Sequence, residues 1–162
     1  MNTEDSRQGS EDVIQHAIAL VNFVITKVDF FVPPGETDLP DSEVGMSHKV
    51  AFEDGLDRAF MVLIQLRLKS VQESDFRLNV DAVALFNTNK PIDEQFKQSP
   101  LANVNAVAIA FPFLRSFLAS FTVNAGVPRL ILPSVNFHKV SKVTSEHTKK
   151  SAGGEEPSSP NP

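Results

Sequence analysis

Residues 111–137 read FPFLRSFLASFTVNAGVPRLILPSVNF, and the fold turns on this stretch. Phe111, Phe113, Phe117 and Phe121 crowd its first half. Gly126 and Pro128 break the run, and a short extended piece, Arg129 to Leu132, stops at Pro133. The helical pattern reaches back to residue 101 and forward to residue 124. Val104, Val107, Ala108, Phe111, Leu114, Leu118 and Phe121 recur at helical spacing on one face. Ile109, Ala110, Phe113 and Phe117 fill much of the other, leaving Asn103, Asn105, Arg115, Ser116, Ser120 and Thr122 as a polar strip. Pro112 removes one backbone hydrogen bond inside the helix and should bend it. Asn124-Ala125-Gly126 has the form of a C-terminal cap. A helix this apolar on nearly every side needs partners, either further copies of the chain or apolar client segments.

Upstream, the periodicity changes from helical to alternating. In 59–69, AFMVLIQLRLK, the apolar Phe60, Val62, Ile64, Leu66 and Leu68 alternate with Gln65, Arg67 and Lys69. In 76–86, FRLNVDAVALF, Phe76, Leu78, Val80, Ala82 and Ala84 face in, while Arg77, Asn79 and Asp81 face out. Period two with one wet face is the mark of a half-buried strand. The segment 70–75 is short enough for an antiparallel hairpin. Asp81 then lies across from Arg67 or Lys69, a pair worth about 0.2–1 kcal/mol. A further strand is expected from Asn22 to Val32, where β-branched residues and Phe dominate, ended by Pro33-Pro34-Gly35. Residues 13–20 fit either a helical turn or an extension of that strand. Residues 35–47 read as an acidic loop, 48–53 as a short strand before the Asp54-Gly55 turn, and 87–100 as a polar connection.

The ends differ in composition from this middle. Residues 1–12 are acidic and without periodicity and are expected to be disordered, and 138–162 form a polar tail. One domain over 13–137 remains. The chain has 162 residues, a net charge of −5 and no Cys. The acidic balance argues against a nucleic-acid footprint, which would show a basic stripe. Without Cys there is no disulfide or thiolate chemistry, and a cytoplasmic location is expected. The acidic start lacks the positive flank of a secretory signal, and no uninterrupted apolar run reaches about 18 residues, so no membrane insertion is expected.

Catalytic constellations are missing from the pattern. His16, His48, His138 and His147 are scattered, without the spacing of metal ligands. The acidic loop 36–43 lacks the alternating oxygen ligands and central Gly of a calcium loop. No phosphate-binding Gly motif or nucleophile elbow is present. The reading is of a protein that is not an enzyme and uses no cofactor or metal.

Phe111, Pro112, Phe113 and Arg115, followed by Gly126, Pro128, Leu130, Leu132, Pro133, Asn136 and Phe137, resemble the signature region of the SecB family of tetrameric export chaperones. TKVDFFVPP at 26–34 is similar to the end of that family's first strand, and the strand pair matches in order and spacing. The resemblance spans roughly residues 20–137. It implies an α+β fold: a four-stranded antiparallel sheet with one long helix of the C-terminal half packed on one face. It also implies a homotetramer, a dimer of dimers with the helices sandwiched between. Such proteins bind unfolded polypeptide clients in apolar grooves without ATP.

The same resemblance assigns Phe30, Phe31, Phe52, Phe111, Phe113, Phe117, Phe121, Leu130 and Leu132 to client contact or to the oligomer seam. Arg115 is either a helix–helix anchor or a snorkelling surface residue. In the family, acidic residues on the exposed sheet face contact the SecA motor. The matching positions of the first strand here are Val28 and Val32, and a Leu and a Glu of the family's fourth strand correspond to Arg77 and Asn79, so that negative patch is altered unless Asp29 stands in by a one-residue shift. Divergent SecB-like proteins also include chaperones that guard an antitoxin, and the fourth strand resembles that branch. A SecB-like scaffold that has become a binding module without an export role is the third reading.

Overall fold

A computed structural model describes residues 16–133 and Phe137 of the chain. The expectations for residues 1–12 and for the tail from 138 therefore lie outside the described residues. Four antiparallel strands form one sheet: β1 (Ile18–Phe31), β2 (Ser42–Ala51), β3 (Ala59–Ser70) and β4 (Arg77–Thr88), in spatial order β1-β4-β3-β2. A short helix, α1 (Glu94–Lys97), and a π-helical turn, Leu101–Asn105, lead into the long helix α2 (Ala106–Asn124). The α+β architecture expected from the sequence is the one observed.

The two alternating segments become the centre of the sheet because they are buried on one face only. Phe60, Val62, Ile64, Leu66 and Leu68 of β3 and Leu78, Val80, Ala82, Ala84 and Phe86 of β4 are all buried toward α2. They meet Val107, Ala110, Phe111, Leu114 and Leu118 of the helix in one continuous core. Arg67 and Asp81 pair at 2.7 Å on the opposite, open face. Their strands place Arg67 beside Asn79, so the ion pair runs diagonally. Both partners are partly exposed, which limits the pair to about 0.2–1 kcal/mol.

Several boundaries move. β1 begins at Ile18, so the second of the two readings of 13–20 holds from that residue on. It carries irregularities between Leu20 and Asn22 and between Ile25 and Lys27, which re-aim its side chains within the strand. β2 begins at Ser42, not at His48, so the expected loop is shorter than 35–47. Ser42-Glu43-Val44-Gly45 has poor strand propensity. Pairing with Lys69, Leu68 and Arg67 of β3 overrides it. The connection after β4 is not all irregular. Asp93 caps α1 by accepting a hydrogen bond from the Phe96 N–H at 2.7 Å, and Phe96 is buried against Phe60 and Phe52.

Within α2 the expected buried face is largely right, with three corrections, the first being Ala110, assigned to the opposite face but fully buried. Ala108 is exposed, and Thr122, assigned to the polar strip, is fully buried. Its hydroxyl is satisfied by donating to the Leu118 carbonyl at 3.0 Å and accepting from the Leu130 N–H at 3.0 Å. The helix runs on through Pro112, which is exposed, as is Ala108. The carbonyl that a proline leaves without its N–H can then be solvated. The helix ends as expected. Gly126 has φ of +84°, with Gly126 N–H bonded to Val123 and Val127 N–H to Thr122, a Schellman motif. This turn lays residues 127–132 back along the helix.

Leu101–Asn124 is by length and apolarity sufficient to cross a membrane, with a mean hydropathy of 1.7, although Asn103, Asn105 and Arg115 interrupt its apolar run. Its apolar composition has a use in the fold, since one face of it forms the core against the sheet.

Candidate functional site

The outer half of α2 divides into two flanks and a crest. Toward β1, Phe113 stacks on Phe23 with centroids 5.8 Å apart and stays 49% exposed. One turn on, Phe117 stacks on Phe121 at 5.5 Å, and Phe121 meets Phe30 edge-on at 5.2 Å. Phe30 in turn sets its edge against Phe76 at 6.2 Å. These rings form an aromatic gutter between the helix and the edge strand. Val28 pairs with the buried Val80, so it lies on the same face of β1 as Phe30, and it is partly exposed. Along the crest, Ile109 and Val123 face outward.

The other flank faces the returning segment. Pro112, Arg115, Ser116 and Ala119 of α2 and Arg129, Leu130, Ile131 and Leu132 enclose a groove of about 330 Å³. Leu132 is buried beneath it, Leu130 is half-buried, and Ile131 is 70% exposed. Phe111 belongs to neither flank. It is buried, with the Phe137 ring against it at 5.2 Å.

The residues grouped by the sequence therefore separate. Phe30, Phe113, Phe117 and Phe121 come together in the gutter, and Leu130 and Leu132 line the groove. Phe111 is core. Phe52 is far along the sheet, half-buried against Phe60 and Phe96 with Lys97 over its ring at 5.9 Å. Phe31 points to the opposite face, where the Arg77 guanidinium lies 5.0 Å from its ring centroid. Sequence reasoning missed Phe23, because irregular pairing in β1 decides which of its side chains meets the helix. It also missed Ile131 and Arg129, whose place depends on the turn at Gly126.

The open sheet face corrects the other group. Arg77 and Asn79 lie on it as expected. Val28 and Val32 do not: Val28 pairs with buried Val80, and Val32 packs against the core. Asp29 takes the open-face position instead, accepting from Asn79 at 3.2 Å and from Arg77 at 3.2 Å. The Asn79 hydrogen bond, and after it the Arg77 guanidinium, hold its carboxyl below the usual carboxylate value. The one acidic side chain that β1 offers there is thus already engaged by its neighbours.

Among the described residues no group of three His, Asp or Glu is placed to hold a metal. His48, on the helix side of β2, is pushed below the ordinary histidine value by burial, against a backbone hydrogen bond with Asn103.

With the geometry in place, three likenesses can be set beside it. Residues 22–147, well over half of the chain, match the family described as preprotein translocase subunit SecB. The uncharacterized protein MJ0357 of Methanocaldococcus jannaschii is 23% identical over 143 residues, covering 83% of this chain and 91% of that protein. Among solved structures, the Mycobacterium tuberculosis Rv1957 SecB-like chaperone, in complex with a ChAD peptide from the Rv1956 HigA1 antitoxin, matches with a TM-score of 0.57. That match has 16% identity and covers 74% of this chain and 88% of that one. At this identity it speaks to the fold.

Proposed function

The chain belongs to the SecB family, and we propose that it is an ATP-independent chaperone that holds non-native polypeptide against the outer half of α2. The observation that carries this reading is the aromatic gutter. Phe113 is half exposed although it sits in a chain with an ample core, and Phe23, Phe30, Phe117 and Phe121 continue the same surface. Removing a Phe side chain from water is worth about 1.5–3 kcal/mol. Leaving several of them wet is costly unless clients or other copies cover them. Rings without polar handles accept apolar segments with little regard to sequence, which suits a holding chaperone and needs no catalytic residue or cofactor.

On this reading the protein works in the cytoplasm, and copies assemble through the crest at Ile109 and Val123 together with the half-exposed Phe113 of the gutter beside it, the dimer of dimers that family membership suggests. Unfolded export clients are the first candidates. Delivery to SecA through the sheet face is disfavoured by the engagement of Asp29 with Arg77 and Asn79. A second reading is a chaperone dedicated to an antitoxin. It is favoured by the likeness to the Rv1957 SecB-like chaperone, whose structure holds an antitoxin peptide.

The test is suppression of aggregation. A chemically unfolded client is diluted into buffer with and without the protein at molar excess, and turbidity is followed. Suppression without nucleotide is expected, and its absence would leave a binding module on a SecB scaffold. Light scattering of the protein alone at micromolar concentration tests assembly; a monomer would remove the seam. A toxin–antitoxin gene pair beside the gene, with suppression confined to that antitoxin, would select the second reading.

A further inference from the structure

On the face of the sheet turned away from α2, strand register sets the side chains in rows. Val24, Val83, Leu63 and Lys49 form one row, and Lys27, Asp81, Gln65 and Ser47 the next. Leu85 and Met61, paired beyond the first row, extend its apolar floor. Where the two rows meet, the sheet carries a dish of about 360 Å³ whose lining includes Thr26, Lys49, Leu63, Gln65, Asp81 and Val83. Val24 and Leu63 stay exposed there.

Two lysines stand at opposite margins of this area. Lys27 is on β1 and Lys49 on β2, the two edge strands. Three strand spacings, about 14 Å, separate their backbones. Both are exposed, and neither has an ion pair or hydrogen bond among the described residues. The carboxylate at the dish, Asp81, is held by Arg67 at 2.7 Å. Farther along the face the charges balance, since Asp29 pairs with Arg77 and Glu43 lies opposite Lys69. The dish is therefore a cationic spot with an apolar floor, on a chain whose net charge is −5.

We infer that this face docks an amphipathic helix of a partner protein, one whose apolar stripe is flanked on both sides by carboxylates. The surface lies across the sheet from α2, so the inference stands apart from the chaperone reading. β3 and β4 are paired on both sides, so a partner cannot join there as a strand and is read through side chains. A helix is about 10–12 Å across with its side chains, which fits the trough between Lys27 and Lys49 with its axis along β4 and β3. Its apolar stripe then covers Val24, Leu63 and Val83, and the carboxylates of its two flanks reach the two ammonium groups. Each ammonium is a point charge on a flexible stem and can follow a carboxylate without a fixed geometry. The acidic balance of the rest of the chain repels such a helix elsewhere and steers it to this face.

Other occupants fit less well. A second copy stacked face to face across a two-fold axis lays β1 over β2 or over itself, and either sets lysine beside lysine. An anionic membrane surface is flat, whereas the floor between the two lysines is concave, and the chain as a whole is acidic. A nucleic acid needs a basic stripe rather than two cations about 14 Å apart.

The experiment uses the full chain and three fluorescein-labelled helical peptides of about eighteen residues. All share a leucine stripe at i, i+3, i+4 and i+7 spacing. The flanks of the stripe carry Glu in the first peptide, Gln in the second and Lys in the third. Anisotropy at low ionic strength should show the Glu peptide binding about tenfold tighter than the Gln peptide, and the Lys peptide weakest. Raising salt to about 0.5 M should shrink the Glu–Gln difference to roughly twofold. The double variant Lys27→Gln, Lys49→Gln should lose that difference, and Leu63→Asp should weaken the Glu peptide about tenfold. Phe113→Asp alters the aromatic gutter and should leave the difference as it is. The substituted side chains are all exposed, so the variants should stay folded, as circular dichroism will check. Equal binding of the Glu and Gln peptides by the unaltered protein, or binding of neither, would overturn the inference and leave aggregation suppression to decide the chaperone reading. A difference that survives in the double variant would overturn it too. So would a difference that disappears in Phe113→Asp, which would move the peptide to the gutter. Cosedimentation with phosphatidylserine vesicles that is lost in the double variant would make the face a membrane surface. A fall in the mass of the double variant by light scattering would make it a contact between copies. Either result would overturn the inference.

Discussion

The two flanks of α2 share one helix and one core but are held in different ways. On the β1 side, Phe23, Phe30, Phe113, Phe117 and Phe121 touch ring to ring, and no hydrogen bond fixes the gutter. On the other side, a capping turn and the Thr122 hydroxyl tie residues 127–132 to the helix. Contact between rings is non-directional and tolerates sliding, whereas a hydrogen-bonded segment keeps one geometry. The gutter can therefore adapt to varied apolar segments, while the returning segment keeps its place along the helix.

Substitutions can break this comparison in graded steps. Leu114→Ala acts beneath both flanks, since Leu114 is fully buried in the shared core. It should cost about 2–5 kcal/mol in denaturant unfolding, and both flanks should fail together. Phe121→Ala removes the ring that links Phe117 to Phe30. A loss on the order of 2 kcal/mol is expected, with weaker client suppression. Thr122→Val sharpens the opposite flank. It keeps the shape but strands the Leu130 N–H, at a cost of about 1–2 kcal/mol. Proteolysis near residue 130 should rise while suppression persists.

Phe113→Asp should change stability little, because that ring is already half exposed, but it should abolish suppression and lower the assembled mass. Unchanged suppression and mass would detach the gutter from function. The smallest effect concerns His48, beside the turn that leads into α2. Burial depresses its folded value, so the unfolded chain binds the proton more readily. Its contribution is fully present above about pH 6.5 and falls as pH drops below that. Unfolding midpoints measured between pH 7.5 and 5 should decline for the natural protein and decline less for His48→Gln.

Legibility followed burial. β3 and β4 could be read directly, because one wet and one dry face force alternation at Phe60 to Leu68 and at Leu78 to Phe86. α2 could be read from its spacing and its Gly126 cap. The start of β2 could not, because Ser42 to Gly45 gain their strand conformation from the ladder with β3 rather than from their own propensity. The faces of β1 could not, because two irregular steps shift them, and Val28 and Asp29 exchanged their expected places. Thr122 looked polar and is buried, since the carbonyl of Leu118 and the N–H of Leu130 satisfy its hydroxyl where they meet.

The sequence by itself determined that four strands and one long apolar helix would share a core, and that the helix carried more apolar surface than one sheet can cover. Periodicity and composition are local properties, and both were complete in the chain. Tertiary structure alone decided that this excess splits into an aromatic gutter and an arginine groove. Each is assembled from residues remote in sequence, Phe23 with Phe113 and Arg115 with Arg129. Their meeting depends on strand register and on one glycine turn, which side-chain periodicity does not encode.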